Sequence, residues 1–487
     1  MMNCARINQT TSISFQSPTP VSDLLKQSGI YFPFPCDSKG TCGKCKVRIT
    51  GEVSPLTKKE QEFLTREEIN NGYRLACQTV ASGDCSIITE NNTLSITSEY
   101  FLEKAPAFLD RTDGLVIDIG TTTVVAVLYQ NGIPVKTVTE PNRQVIYGTD
   151  VISRIQREED IPGVLSRLLR EQIAQIIFDC GSPKQVVLVA NTVMFHFLTE
   201  KEVLPLGKAP YKVASLFGET YHIFGSDCYL APCVSAFVGA DITAGILASA
   251  MTEKNETAML VDLGTNGEIV YYDTNCFHTA STASGPAFEG MGIFMGMLAE
   301  SGAINHLTYQ NGKISYTTID EERPKGICGS GLIDVLAVML QCGAMDESGN
   351  LDPNHPYCKR DHHGKYCFEI PDTNIIIRGK DIRKLQLAKS AIHAGMLTLA
   401  NRVDTLYISG GFGSYLDIEN AVFIGLFPKN FSHKVKLLGN SSLAGGKLLL
   451  FSDQKREEIE KIQARCQTVD LSTNPIFTEN YIEKMSF

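Results

Sequence analysis

One short motif occurs twice in this 487-residue chain and constrains its fold more than any other feature. GLVIDIGTTTVVAVLYQNG sets Asp118, Gly120, Thr121, Thr122 and Thr123 between two apolar, β-branched runs. AMLVDLGTNGEIVYYD sets Asp262, Gly264, Thr265, Asn266 and Gly267 in the same frame. Each reads as a strand, a glycine–hydroxyl turn and a returning strand. Such a turn offers backbone N–H groups and threonine hydroxyls to phosphate oxygens, and an aspartate at the strand end can hold hydrated Mg²⁺. A single D-x-G-T turn says little, because any β-turn can carry Gly and Thr. Two copies at domain-sized spacing predict two similar halves facing one cleft. A third element, DTLYISGGFGSYL, is a strand ending in Gly410, Gly411, Phe412 and Gly413, where glycine lets the backbone approach a flat ring or sugar. No G-x4-G-K-[ST] loop or G-x-G-x-x-G fingerprint competes.

This three-part order resembles the actin-like ATPase superfamily of actin, sugar kinases and the seventy-kilodalton heat-shock chaperones. The resemblance implies a two-lobed α/β body whose hairpins are phosphate loops 1 and 2 and whose G-G-x-G turn contacts adenosine. Asp118 and Asp262 are then the catalytic carboxylates, and residues 239–249 and 440–450, rich in small side chains, are the helices that connect the lobes. The first lobe is expected at 113–245, the second at 246–452 and a C-terminal helix and tail at 453–487. FSDQKREEIEKIQARCQTVDL reads as a solvated helix with Glu–Lys surface pairs. ICGSGLIDVL puts Gly329, Ser330 and Gly331 ahead of an apolar helical run. Its N–H groups are candidates for nucleotide contact, and a tight loop–helix junction is the competing reading. NRQVIYGTDVISRI, VANTVMFHFL and LAPCVSAFVGAD place polar groups at strand and helix ends, as cleft walls do. His196 and His393 read as structural.

The amino-terminal stretch follows a different logic. Of fifteen cysteines, Cys36, Cys42, Cys45 and Cys77 form C-x5-C-x2-C-x31-C. Four thiolates can hold a 2Fe–2S cluster, and Gly40 and Gly43 let the loop wrap it. The rival is a zinc site, but zinc ribbons pair two C-x2-C knuckles, whereas here three cysteines cluster and one stands alone. ARINQTTSISF (5–15) alternates like a strand, 21–29 read as a short amphipathic helix, and CKVRITGEV as a strand. Thr57 with Glu60, and Thr65 with Glu68, have capping-box spacing. Residues 1–95 thus resemble a ferredoxin of the adrenodoxin-like subtype, an α+β β-grasp fold. The resemblance makes Cys36, Cys42, Cys45 and Cys77 the metal ligands and leaves Cys85 structural. The other cysteines read as small apolar fillers.

Composition excludes several classes. The apolar fraction of 43% and charged fraction of 20% are those of a globular chain. A net charge of −10 argues against nucleic acid or anionic lipid as partner. The ferredoxin stretch holds ten basic and nine acidic residues, so the acidity belongs to the rest. No apolar run approaches the ~20 residues that span a bilayer. MMNCARINQTTSISF lacks the basic start and apolar core of a secretory signal, so a cytoplasmic protein without membrane contact is expected.

A ferredoxin joined through a linker at 96–112 to an ATPase suggests electron transfer coupled to nucleotide use. Plant-type clusters sit near about −400 mV, and each ~59 mV uphill costs one electron a factor of ten. A more reducing acceptor therefore demands a second, favourable process. The combination, with YGTDVISRI, ICGSGLID, DIRKLQLAKSAIHAGM, SGGFGSYLD and GNSSLAGG, resembles the reductive activators of corrinoid proteins. That family implies ATP-dependent return of Co(II) corrinoid to Co(I), with a 2Fe–2S cluster, ATP and Mg²⁺ as cofactors. It also implies a corrinoid protein of a methyltransferase system and an external low-potential electron donor as partners, and leaves a homodimer open. Two other readings remain: an activator of the 2-hydroxyacyl-CoA dehydratase type, and a non-enzymatic redox-sensing nucleotide-binding module.

Overall fold

The computed structural model describes residues 2–16, 18–28, 32, 34, 38–41, 43–89, 109–361, 364–411, 416–431 and 433–487. Cys36, Cys42, Phe412 and Gly413 lie outside the described residues, as does most of the expected linker. The chain divides into two compact units, one of residues 1–93 with 143–157, the other of 94–142 with 158–487.

In the first unit, β1 (Asn3–Ile7), β2 (Thr11–Phe15), β3 (Thr19–Pro20), α1 (Val21–Gln27), β4 (Lys46–Val53), α2 (Lys58–Phe63), α3 (Arg66–Asn70), β5 (Tyr73–Leu75) and β6 (Val80–Ile88) follow in order. The sheet runs β2-β1-β6-β4-β5, with β3 also on β6. β1 and β6 are parallel, Ala5 beside Cys85, while the flanking pairs are antiparallel. Alternation in β6 buries Ala81, Cys85 and Ile87 on the face that α1 covers with Val21, Leu24 and Leu25. Ile7 in this core is fully buried, a gain of roughly 1.5–3 kcal/mol. Both capping boxes form: Thr57 and Thr65 each accept from the backbone three residues on, and Glu60 and Glu68 reach back.

The body confirms duplicated halves. The first lobe holds β7 (Gly114–Ile119), β8 (Thr123–Gln130), β9 (Ile133–Pro141), α4 (Val151–Asp160), α5 (Val164–Asp179), β10 (Gln185–Ala190), α6 (Thr192–Leu198), β11 (Glu219–Ile223), β12 (Ser226–Leu230) and α7 (Ala240–Ser249). Of α4, residues 151–157 group with the first unit. The second begins with β13 (Ala258–Leu263), β14 (Gly267–Tyr272) and β15 (Phe277–Thr282). An insertion follows: β16 (Ala303–Gln310), β17 (Lys313–Thr318), β18 (Gly326–Ile327), α8 (Gly329–Gln341), β19 (Cys358–Arg360), β20 (Tyr366–Glu369) and β21 (Ile376–Arg378). Then come α9 (Gly379–Leu399), β22 (Thr405–Ser409), α10 (Ile418–Phe423), β23 (Val435–Gly439), α11 (Ser441–Phe451), α12 (Asp453–Ala464), β24 (Cys466–Thr468) and α13 (Pro475–Glu483).

The lobe sheets run β11-β12-β10-β7-β8-β9 and β23-β22-β13-β14-β15-β24. In each, the hairpin strand pairs antiparallel with its return strand and parallel with a later strand, β7 with β10 and β13 with β22. β7 and β13 are buried almost throughout, as strands covered on both faces are. Between the lobes, α7 and α11 cross where small residues let backbones meet. A Cβ on Gly445 would run into the Ala244 carbonyl, and one on Gly245 would lie 2.8 Å from Ser441 Oγ. Residues 110 and 111 finish α11: Asp110 N donates to the Phe451 carbonyl and Arg111 Nε to that of Leu450. The solvated helix is α12, with Lys455 and Glu458 paired at 2.7 Å. α13, which the sequence left as tail, docks on α9, where the fully buried Lys389 donates to the Lys484 carbonyl at 2.8 Å.

Candidate functional site

The two glycine–threonine turns close in related ways. Gly120 N donates to the Thr123 carbonyl (2.8 Å) and Gly264 N to that of Asn266 (3.1 Å), leaving Thr121, Thr122 and Thr265 hydroxyls at the tips. Asn142 Nδ2 holds the Gly120 carbonyl at 2.9 Å, and Asn191 Nδ2 donates to Thr121 Oγ1 at 3.1 Å. The turns meet: Thr122 Oγ1 and Thr265 Oγ1 are 3.4 Å apart, one from each lobe. The structure thus brings together the two motifs that the sequence places 144 residues apart.

Beneath them stand the two aspartates. Asp118 accepts from Asn440 Nδ2 and Ser442 Oγ, both at 2.9 Å, and Asp262 accepts from Ser409 Oγ at 2.5 Å. Burial pushes the Asp118 carboxyl up to about 6 and raises Asp262, although these donors favour the charged forms. Three further carboxylates share the cleft. Asp241 opens α7, accepts from Ile242 N at 2.9 Å, and is pushed up to about 7 by burial and by the charges of Asp262 and Asp118. Glu268, on β14, is raised well above its ordinary value by burial and by Asp241 and Asp262. Glu289 accepts from Thr265 Oγ1 at 3.1 Å and is pushed up to about 7, chiefly by burial. Each keeps part of its surface open, as the lining of a deep cleft does. Five carboxylates without a nearby lysine or arginine among the causes of these shifts form a site poised for positive charge. Among the described residues, no three His, Cys, Asp or Glu side chains form a metal cage by themselves.

The remaining candidates divide. Gly410 is held at φ +104° against the Leu263 carbonyl, so its need for glycine is internal packing, whereas at Gly411 nothing among the described residues lies within 4 Å of where a side chain would be. Gly329 is the first residue of α8, and Ser330 is buried with its Oγ donating to the Asn305 carbonyl at 2.8 Å. A Cβ on Gly331 would strike the Ile304 carbonyl. These contacts pack the loop against the start of α8. His196 and His393 behave as structural residues: burial lowers both, His393 to about 4, with their Nδ1 atoms on the carbonyls of Thr192 and Gly425.

In the ferredoxin unit, Cys45 and Cys77 bring their sulfurs to 3.3 Å, far beyond the ~2.05 Å of a disulfide and close enough to share a metal centre. Gln78 Nε2 lies 3.5 Å from Cys77 Sγ, a donor of the kind that tunes a cluster's potential. These two sulfurs, with their amide donor, therefore fit an iron–sulfur cluster. Cys85 is buried between β1 and β4, with its thiol raised by burial.

The sequence named Asp118, Asp262 and the threonines, but not Asp241, Glu268, Glu289 or the supports Asn142, Asn191, Ser409, Asn440 and Ser442. Asp241 and Asn440 lay in segments singled out for small residues. Glu289, in SGPAFEG, carried no spacing signal.

The comparisons with known proteins cover both units. The 2Fe-2S iron-sulfur cluster binding domain matches residues 6–82, the RACo middle region 113–254, and the C-terminal (ASKHA) domain of RACo 256–487. The chain is 34% identical over 420 residues to the corrinoid activation enzyme RamQ of Eubacterium limosum, covering 77% of this chain and 70% of that one. It is 28% identical over 349 residues to the [Co(II) methylated amine-specific corrinoid protein] reductase of Methanosarcina barkeri, covering 63% and 62%. A solved reductive activator for corrinoid, iron-sulfur protein superposes with a TM-score of 0.68 at 27% identity, covering 100% of this chain and 98% of that one. With a ferredoxin domain, an actin-like body and these relatives, the chain belongs to the family of corrinoid-protein reductive activators.

Proposed function

We propose that this protein uses ATP to return the Co(II) form of a corrinoid protein to Co(I), delivering an electron that an external low-potential donor has supplied. Cys36, Cys42, Cys45 and Cys77 would hold the 2Fe–2S cluster, which supplies the one-electron store. Gln78 then sets the charge that the Cys77 sulfur carries. In the body, Thr121, Thr122 and Thr265 have hydroxyls spent on neighbours and on each other, and these are the donors that a triphosphate would take over. Asp118 and Asp262, with Asp241, would hold hydrated Mg²⁺, whose other ligands are water and phosphate oxygens. Gly411, which has nothing near its would-be side chain among the described residues, would leave room for the adenosine. The observation that carries this reading is the meeting of the two turns at Thr122 and Thr265, beside carboxylates whose shifts have no lysine or arginine among their causes in the described residues.

The energetic logic follows from the acceptor. A cluster near about −400 mV cannot hold a more reducing acceptor reduced at equilibrium. Nucleotide binding and turnover in the body provide the second process.

The test is a reconstitution. Protein loaded with cluster, given a strong reductant, MgATP and a Co(II) corrinoid protein, is expected to produce the Co(I) visible spectrum. A rate unchanged when ATP is omitted would refute the coupling. Asp262→Asn is expected to weaken MgATP binding at least ~10-fold while leaving the cluster spectrum intact.

A further inference from the structure

The turn after β15 carries Glu289 to the junction of the two lobes. Its Oε1 accepts from Thr265 Oγ1 at 3.1 Å, and that hydroxyl lies 3.4 Å from Thr122 Oγ1, so one carboxylate joins both phosphate turns. Its other oxygen, Oε2, is buried without a hydrogen-bond partner among the described residues. Buried carboxylate oxygens are normally met by a protein donor or an ordered water. Of the five carboxylates in the cleft, Glu289 alone has such an oxygen among the described residues. The backbone fixes its position: Gly290, at φ +76°, ends the turn so close to Met297 that a side chain there would strike it.

From this geometry we infer that Glu289 is the catalytic base for ATP hydrolysis, its Oε2 receiving the proton of the attacking water. The inference rests on the cleft being an ATP site and names the group that activates water there. As the water oxygen bonds to the γ-phosphorus, one proton passes to the Glu289 carboxylate. The bond from that phosphorus to the β,γ-bridging oxygen breaks, and its electron pair leaves with ADP. The proton on Glu289 then goes to solvent, and no electron changes owner. A carboxyl pushed by burial to about 7 is basic enough to take a proton and still ionised in part at neutral pH. Asp241 is raised to the same level, but its Oδ1 is held by Ile242 N, and its charged neighbours are Asp118 and Asp262. It belongs with the carboxylates that face the cation.

The full-length protein tests this with MgATP. Glu289→Gln keeps the shape and an acceptor for Thr265. It is expected to slow single-turnover hydrolysis ~100-fold or more, with MgATP affinity by calorimetry within about threefold. Glu289→Asp keeps the base but withdraws it by one methylene, and its turnover is expected between those of the wild type and the Gln variant. Hydrolysis by Glu289→Gln within threefold of wild type overturns the assignment. So does equal loss of binding and turnover in both variants, which would mark a packing role. Wild-type protein that binds MgATP but never hydrolyses it, even with corrinoid partner and reductant, also overturns it. Hydrolysis without any Co(I) formation would instead sink the corrinoid reading and leave the Glu289 comparison decisive on its own.

Discussion

Glu60 in the ferredoxin and Glu289 in the body are both shielded from bulk water, Glu60 fully and Glu289 in part, yet their surroundings differ in kind. Glu60 is wholly buried and accepts five hydrogen bonds: from Arg74 Nε and Nη2, the backbone N–H groups of Thr57 and Leu75, and Thr79 Oγ1, at 2.8 to 3.1 Å. Burial alone would raise its carboxyl, but Arg74 and the backbone donors outweigh that and hold it below the usual range. Glu289 accepts from the Thr265 hydroxyl, keeps an unpartnered oxygen among the described residues, and is pushed up. A carboxylate that ties a fold together is saturated by that fold, whereas one that serves a reaction is left short of partners. The price of the second arrangement is stability that a ligand must return.

The contrast breaks most sharply under mutation. Glu60→Ala leaves Arg74 charged and buried, so the ferredoxin is expected to lose about 3–5 kcal/mol in denaturant unfolding followed by circular dichroism. Glu289→Gln should cost the nucleotide-free body nothing, and comparable losses at the two sites would abolish the distinction. Next in size is the lobe crossing. Gly445→Val, forced against the Ala244 carbonyl, is expected to cost about 1–3 kcal/mol, read as a lower melting temperature of the body with the ferredoxin transition unmoved.

Acidity should move the two modules in opposite directions. Asp241 and Glu289 have folded values raised to about 7, above unfolded values near 4. Their protonated forms favour the fold, so that contribution is complete below about pH 4 and is lost as pH rises through 7. Glu60 is lowered, so its contribution is present above its unfolded value and is lost as pH falls. Calorimetry of the nucleotide-free protein should show the body melting a few degrees lower at pH 8 than at pH 5.5, with the ferredoxin weakening only toward acid. A body whose melting temperature rises over that interval would contradict the assignment. Smallest are the helix caps: Thr57→Ala and Thr65→Ala are each expected to cost about 1 kcal/mol, and Thr57 more than Thr65, because its box also orients Glu60.

What the sequence could disclose follows from how local each interaction is. The capping boxes, the hairpins at Asp118 and Asp262, and the small residues of α7 and α11 are written within a dozen residues, and all appear where expected. The docking of α13 on α9 and, apart from the glycine-led start of α8, the insertion from β16 to β21 left no such trace, since neither has a distinctive spacing. The carboxylate cluster was half legible. Asp118 and Asp262 sit in a repeated motif, whereas Glu289 reaches Thr265 across 24 residues and Glu268 gains its character from Asp241 on another element. Around Ser330 a glycine-rich run has a second physical reason besides nucleotide contact, since a side chain on Gly331 would strike the carbonyl of Ile304.

Asn440 does two things with one planar group. Its oxygen accepts from Leu443 N and so begins α11, while its nitrogen holds Asp118. An amide cannot turn to follow one partner without releasing the other. One amide thereby ties the Asp118 carboxylate, at the end of β7, to the first turn of the helix that crosses α7.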